Sequence, residues 1–259
     1  NTPRQIHIQK ALGYPELEYA HLPLVLGPDK KRLSKRHAAT SLEEYKEAGY
    51  LDSAILNTLA RLGWSKGENE VFYLKDLIKD FEITEVQKAG AIFDITKLEY
   101  LNGQHMANLS HEDFLIAIRP FIDEINIDLN THSKKDLLIE AMRSSATTLK
   151  GVAANLLCYF DDVKTYNQKA IDKFIGNSDK ILVDLKKRIH DLETWDESSL
   201  DNLLLKYREE NNLPVPKVNQ PIRIALTGST NSPSLGTTLY LFNKEEVIAR
   251  INNLIDYIH

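Results

Sequence analysis

A single cysteine in 259 residues leaves no material for a disulfide framework or a cysteine-rich zinc site. Cys158 sits in the apolar run Leu156-Leu157-Cys158-Tyr159-Phe160, which suits a buried thiol in a reducing compartment. Long apolar runs are missing too. None approaches the roughly 20 residues of a bilayer span, so no membrane role is expected. The stretch Asn1 to Lys10 has no apolar segment of the kind that drives secretion. Met106 and Met142 are the only methionines and neither opens the chain, so a processed product or a piece of something longer is expected. Acidic side chains are absent from one long window: residues 211–243 hold no Asp or Glu, although the chain has 37. At the average density about five would fall there. A surface that faces phosphates needs such a gap, although a neutral Pro/Thr/Ser-rich loop would also produce it.

The net charge of −5 argues against a nucleic-acid binder only until its distribution is read. Residues 1–67 carry 10 Lys/Arg and 7 Asp/Glu, a balance of +3; the remainder carries 22 and 30, or −8. Local charge decides docking.

Most of the chain has helical period. Leu51, Ala54, Ile55, Thr58, Leu59 and Leu62 line one helix that should stop at Gly63. Ile181, Leu182, Leu185, Ile189 and Leu192 line another, capped by Asn177 or Ser178. Leu200, Leu203, Leu204 and Tyr207 mark a third, ended before Pro214. The last begins at an Asn243 cap with Glu246 three residues on, followed by Val247, Ile248, Ile251, Leu254, Ile255 and Ile258. These stripes are core faces. Strand signal is confined to His21–Leu26, closed by Gly27-Pro28-Asp29, and to Val71–Leu74. Asn102-Gly103, Asn126–Ser133 and Gly176-Asn177 read as linkers. There is no internal repeat.

The segment from Gly27 to His37 is the most informative. Lys30, Lys31, Arg32, Lys35 and Arg36 place five cations within seven residues, after a strand and before a helix that Ser41 can cap. A charge run is usually a solvated face. Here it lies in a turn-bounded loop, and Leu33-Ser34 interrupts it with an apolar anchor and a hydroxyl, an arrangement that can gather donors around a polyphosphate.

Arg32-Leu33-Ser34-Lys35-Arg36 resembles the KMSKS signature of class I aminoacyl-tRNA synthetases in its glutamyl-tRNA synthetase form. In the same order as that family stand Asn1-Thr2-Pro3-Arg4-Gln5, His21-Leu22-Pro23-Leu24, Gly27-Pro28-Asp29, Ser41-Leu42-Glu43-Glu44-Tyr45, Leu62-Gly63-Trp64-Ser65 and Gln220-Pro221-Ile222-Arg223-Ile224-Ala225-Leu226-Thr227-Gly228. The resemblance implies a two-step reaction. L-Glutamate attacks the α-phosphate of ATP, delivered with Mg2+, to give glutamyl-adenylate and pyrophosphate; the terminal ribose of tRNA then takes the glutamyl group. It implies Lys35 as the catalytic lysine meeting charge on the leaving pyrophosphate, and Arg32, Leu33, Ser34, Lys35 and Arg36 as the ATP-contacting loop. Arg32 stands where the family has a lysine, and Ala38 where a glycine is common. For anticodon bases it implies Arg223, Ser232, Pro233 and Leu235, within a window that also holds Lys217 and Tyr240. Asn231 and Ser234 depart from commoner choices. Ser145 stands where many relatives carry a basic residue, with Arg143 two positions earlier, which leaves glutamate-only against glutamate-and-glutamine tRNA acceptance open.

The family's other ATP motif, of the HIGH type, is absent; His7 and His37 lie in unrelated contexts. The expectation is therefore a ligase portion, mainly α. A small α/β remnant of the class I catalytic region with the stem-contact fold should occupy residues 1–110, with all-helical anticodon-binding domains at 111–170, including the helical stretch Asp136–Lys150, and 171–259. No metal site is expected in the chain itself, and a cytoplasmic monomer is. The alternative is an RNA-binding module without chemistry; a helical protein scaffold would leave the acid-free window and the ordered motifs unexplained.

Overall fold

A computed structural model describes residues 1–33, 41–176 and 178–259. Ser34, Lys35 and Arg36 of the basic loop, with His37, Ala38 and the candidate cap Asn177, lie outside the described residues. In chain order the elements are α1 (Thr2–Ala11), β1 (Val25–Leu26), α2 (Leu42–Glu47), α3 (Asp52–Ala60), α4 (Leu74–Asp80), β2 (Ala91–Ile92), α5 (Ile95–Ala107), α6 (His111–Glu124), α7 (Lys135–Met142) and α8 (Leu149–Leu156). Then come α9 (Gln168–Phe174), α10 (Asp179–His190), α11 (Glu197–Glu210), α12 (Val215–Thr227), α13 (Leu235–Leu241) and α14 (Lys244–Ile258). The protein is mainly α, and among the described residues its sheet is β1 paired parallel to β2.

Of the expected strand His21–Leu26, only Val25–Leu26 pairs. Pro23 removes a backbone donor, and Leu22 and Leu24 stay more than half exposed. Val71–Leu74 forms no strand: the Phe72 amide donates to the Asn57 side chain at 2.8 Å, and Leu74 already opens α4. Asn102-Gly103 is no linker. Both lie inside α5, and Asn102 is wholly buried. The helical stretch Asp136–Lys150 holds parts of two helices, α7 and α8, interrupted at 143–148, where Thr148 caps α8 by accepting the Gly151 amide at 3.1 Å.

The periodic helices form where the stripes put them, with adjusted ends. α3 closes at Arg61, and Gly63, with φ of 102°, makes the turn beyond it. Leu59 faces solvent rather than the core. Ser178 precedes α10, but its hydroxyl donates back to the Phe174 carbonyl at 2.9 Å instead of capping. The Asn243 box is complete: the Glu246 amide donates to Asn243 Oδ1 at 2.8 Å, and the Asn243 amide donates to Glu246 Oε2 at 3.0 Å.

Burial divides the molecule. One large core runs from Met106 to Leu254 and draws side chains from both sides of residue 170. Ahead of it lie two small clusters. One holds Tyr45, Tyr50, Ile55, Phe93 and Leu98, with Val25, Leu33 and Leu62 against them; the other holds Trp64, Phe72 and Leu77. The segment around α1 has little core: Ile8, Leu12, Tyr14 and Leu17 stay more than half exposed and border a groove of about 580 Å³. Among the described residues no helix is long and apolar enough to cross a membrane.

Candidate nucleic-acid interface

The basic loop is built on β1. Past Leu26 the chain turns back: the Gly27 amide donates to the Lys31 carbonyl at 2.8 Å, and the Lys30 amide donates to the Gly27 carbonyl at 2.9 Å. Asp29 accepts the Lys31 amide at 3.0 Å, and Lys30 takes a φ of 60° to close the turn. Arg32 thereby comes to bridge Leu26, and the Leu33 amide donates to the Val25 carbonyl at 2.9 Å. Leu33 packs on the Tyr45–Tyr50 cluster, while Lys30, Lys31 and Arg32 are exposed. The turn thus presents three cations from an anchored base. Beyond the undescribed residues, the Ser41 hydroxyl caps α2 by accepting the Glu44 amide at 3.2 Å. Hydrogen bonds from its own backbone amide and then from the Ser41 hydroxyl hold the Glu43 carboxyl below its usual pKa. His7, on α1, is exposed.

The second locus is the turn between α12 and α13. α12 ends at Gly228, whose φ is 71°. A side chain there would put its Cβ 2.9 Å from both the Thr165 carbonyl oxygen and a Val163 methyl, so only glycine fits. The following turn is gathered by Arg223. Its Nη1 donates to the carbonyls of Ser232 at 2.6 Å and Pro233 at 2.7 Å, and to the Ser232 hydroxyl. Ser232 Oγ also bonds Thr238 Oγ1 at 2.8 Å. Arg223 is half-buried, and burial lowers its pKa from the ordinary arginine value, although the guanidinium keeps its charge. Its Nε has no partner among the described residues. Ser234 caps α13 by accepting the Thr237 amide at 3.1 Å. Leu235, by contrast, is 4% exposed and belongs to the core, so its side chain holds the turn from beneath.

Arg223, Ser232 and Pro233 are therefore brought together, and Leu235 supports them from the interior. Arg32 and Leu33 lie in the other, smaller part of the molecule. A crevice of about 60 Å³ opens beside the turn, lined by Ser229, Asn231 and Ser232 on one side and by Asn155 and Cys158 on the other. Asn155 Nδ2 donates to the Ser145 carbonyl at 3.1 Å, which fixes the break between α7 and α8 against this crevice. Arg143 is turned inward: it donates to the Leu109 carbonyl at 2.8 Å, pairs with Glu140 at 3.1 Å and stacks over Phe114. Cys158 is half-buried, and burial pushes its thiol up to about 12.

The acid-free window holds α12, the turn and α13. In space the gap is incomplete, because Asp201 of α11 stands against Gly236 in the first turn of α13. Lys217 is exposed at the start of α12. Sequence reading passed over Arg250. Only 6% exposed, it donates to the Leu226 carbonyl at 2.9 Å and the Asp161 carbonyl at 3.0 Å, and it stacks over Phe242 at 4.6 Å. It thereby caps the end of α12 next to the Arg223 turn. A lone arginine between Val247 and Ile251, on the apolar stripe of α14, was the available signal. Among the described residues no group of three or more His, Cys, Asp or Glu side chains could hold a metal ion.

Comparison with known proteins places this geometry. A family model described as tRNA synthetases class I (E and Q), catalytic domain, matches residues 1–100, and an anticodon binding domain model matches residues 108–255. Glutamate–tRNA ligase 2 of Halorhodospira halophila is 36% identical over 259 residues, covering 100% of this chain and 55% of the relative. Glutamate–tRNA ligase 1 of Campylobacter hominis is 36% identical over 255 residues, covering 98% and 54%. The crystal structure of a glutamate tRNA ligase from Elizabethkingia meningosepticum, in complex with its amino acid, superposes with a TM-score of 0.75 at 27% identity, covering 98% of this chain and 54% of that one. The chain thus spans about half the length of the curated relatives it matches.

Proposed function

Because the chain belongs to the class I tRNA synthetases of the glutamate and glutamine type, with their anticodon-binding domain, we propose that it is the tRNA-reading and pyrophosphate-facing portion of a glutamate–tRNA ligase. The observation that carries this reading is the Arg223-organised turn at the end of a helical bundle. There a half-buried guanidinium ties down a turn in the acid-free stretch, and the turn's Ser229, Asn231 and Ser232 line a crevice whose other wall includes Asn155 and Cys158. RNA sequence is read from unstacked bases through such hydrogen-bonding surfaces, with cations on the phosphates. Arg223, Ser232 and Pro233 shape that surface, and Leu235 holds it from below.

At the other end, the turn 27–33 supplies the base from which Arg32, Ser34, Lys35 and Arg36 reach ATP, Leu33 serving as the anchor. Negative charge grows on pyrophosphate as the glutamate carboxylate attacks the α-phosphate, and a lysine placed to meet it lowers the barrier without being consumed. Lys35 takes that role. Mg2+ accompanies ATP rather than binding a cluster of this chain. Residues 1–110 act on nucleotide and acceptor stem, 111–170 and 171–259 on the anticodon, in a cytoplasmic monomer. The exposed apolar side chains around α1 are of the kind that pack on further protein.

The test is direct binding of tRNA. Glutamate tRNA should bind the chain more tightly than the same tRNA with a substituted anticodon, and Arg223→Ala should remove that preference, a loss of about tenfold for one charge-assisted contact. Equal affinity for both tRNAs overturns the reading. Since the HIGH-type motif is absent from this sequence, the chain by itself should bind without forming adenylate. ATP–pyrophosphate exchange by the purified chain contradicts that, and in the longer protein Lys35→Ala should slow the same exchange.

A further inference from the structure

A second cavity, of about 310 Å³, lies between the stretch 131–134, which leads into α7, and the turn 241–246, which leads into α14. Tyr159 belongs to its wall and to the wall of the crevice beside the Arg223 turn, so the two are neighbours. Its volume stands at the lower end of the range for small-ligand clefts. Aromatic rings line part of it: the His132 ring meets Phe160 at 5.7 Å, and Tyr159 is stacked on Phe242 at 4.8 Å. Lys134 and Glu246, both in the lining, carry opposite charges, so the walls have no net charge while His132 is neutral. Burial, and after it the nearby Lys134, lowers the His132 pKa, and its Nδ1 accepts the Lys134 amide at 3.1 Å. The Lys134 ammonium is engaged as well: it donates to the Tyr240 carbonyl and lies 4.0 Å over the Tyr240 ring. The capping box at the start of α14 is different, because it uses only half of each side chain. Asn243 Oδ1 and Glu246 Oε2 close the box, and Asn243 Nδ2 and Glu246 Oε1 have no partner among the described residues.

We propose that this cleft receives one unstacked nucleobase of a bound RNA, its edge held by Asn243 Nδ2 as donor and Glu246 Oε1 as acceptor. Three features select that ligand. Walls without net charge favour a neutral heterocycle over a phosphate, which Glu246 would repel. Aromatic walls suit a flat ring better than an aliphatic amino acid, whose carboxylate would also find Lys134 already bonded. A donor beside an acceptor matches the neighbouring acceptor and donor on the edge of adenine or cytosine, the logic by which a side-chain amide reads a base. The proposal rests on the RNA-binding reading above and adds a base to those met at the Arg223 turn.

The experiment measures binding of the full 259-residue chain to anticodon stem-loop hairpins in which one loop nucleotide at a time is made abasic. One position should cost about tenfold in affinity, the worth of a single stacked and hydrogen-bonded base. That cost should fall below about twofold in Asn243→Asp and persist in Arg223→Ala, as a double-mutant cycle requires of two separate sites. Aspartate keeps the helix cap, since its carboxylate still accepts the Glu246 amide, but it puts an acceptor where the donor was. Glu246→Gln likewise keeps the box, replaces the acceptor with a donor and should show the same loss. Guanine, whose edge carries two neighbouring donors, should bind Asn243→Asp better at that position than adenine or cytosine does, an inversion that general loosening of the fold does not produce. Hairpins that keep their anticodon preference, with every abasic cost equal in the native and Asn243→Asp chains, overturn the cleft alone. Ser133 and Glu246 amide resonances that shift with free cytidine or L-glutamate but not with the hairpin overturn it too, because the occupant is then a free metabolite. A hairpin that fails to bind, or binds no better than one with a substituted anticodon, overturns the RNA-binding reading and the proposal with it.

Discussion

Replacing Arg250 with methionine tests how much the α12–α13 turn depends on a side chain that touches none of its residues. The native guanidinium donates to the Leu226 carbonyl at 2.9 Å and the Asp161 carbonyl at 3.0 Å. A hydrogen bond from a charged donor is worth about 1.5–3 kcal/mol, so the two together contribute about 3–6 kcal/mol. Methionine fills much the same volume and relieves the cost of holding a cation out of water, which offsets part of that loss. The expected net destabilisation is about 2–4 kcal/mol, a large share of the 5–15 kcal/mol typical of a folded protein. Trp195 reports on the right region, since its indole donates to the Phe242 carbonyl at 3.0 Å and it packs on the large core. Trp64 sits in a separate cluster, so a Trp64→Phe background isolates the signal. Urea titrations of that background with and without Arg250→Met should show a lower midpoint at the same slope, because the surface exposed on unfolding barely changes. Arg250→Lys should fall between them, since one ammonium keeps the charge but not the fork that spans both carbonyls. A loss below about 1 kcal/mol at constant slope refutes the reasoning, because the two carbonyls would then be satisfied without the arginine.

Three further outcomes follow from burial. His105 is 1% exposed, and its Nε2 donates to Asn57 Oδ1 at 3.0 Å while its Nδ1 has no partner among the described residues, so a second proton there gains no hydrogen bond from them. Burial lowers its pKa below the ordinary value of about 6.5. The unfolded chain therefore binds that proton first, and the stabilisation, complete above about pH 6.5, is lost as the pH falls toward the folded-state value. The drop in Tm between about pH 7.5 and 5.5 should shrink in His105→Gln, and an equal drop contradicts this. Cys158, pushed up to about 12, should react with a disulfide reagent at about pH 8 on the order of a thousandfold more slowly folded than in urea; equal rates would show the thiol to be open. Leu235→Ala should cost about 2–4 kcal/mol of stability, as for other buried leucines, while the folded fraction binds tRNA with little change. A large loss of affinity at unchanged stability would instead put the side chain on the RNA.

The helices were legible because each apolar stripe has a large core to face. Val247, Ile251 and Leu254 have one partner surface, and their period leaves no other way to bury them. The strand at residues 21–26 was overread for the converse reason. An apolar run predicts pairing only where a neighbouring strand lies alongside; here β2 meets only Val25 and Leu26, and Leu22 and Leu24 stay more than half exposed. Asn102-Gly103 misled because its dipeptide reads as a turn, whereas the stripe of Leu98, Leu101, His105 and Met106 carries Asn102 on its buried face. A polar residue on an apolar stripe is a junction more often than a gap, and Arg250 on α14 has the same form.

The site residues divide along the same line. Arg223, Ser232 and Pro233 are adjacent because the guanidinium supplies hydrogen bonds to the turn's own carbonyls; the sequence named them only through the family resemblance, and nothing in spacing alone foretold this closure. The acid-free window could not anticipate Asp201, which reaches the first turn of α13 from another helix. A charge count along the chain is therefore a poor measure of the field at the crevice. With carboxylates of Asp201 and Asp162 near the turn, binding there comes from hydrogen bonding to bases more than from bulk attraction. Raising the salt should accordingly weaken overall RNA affinity more than it weakens the preference for the native anticodon.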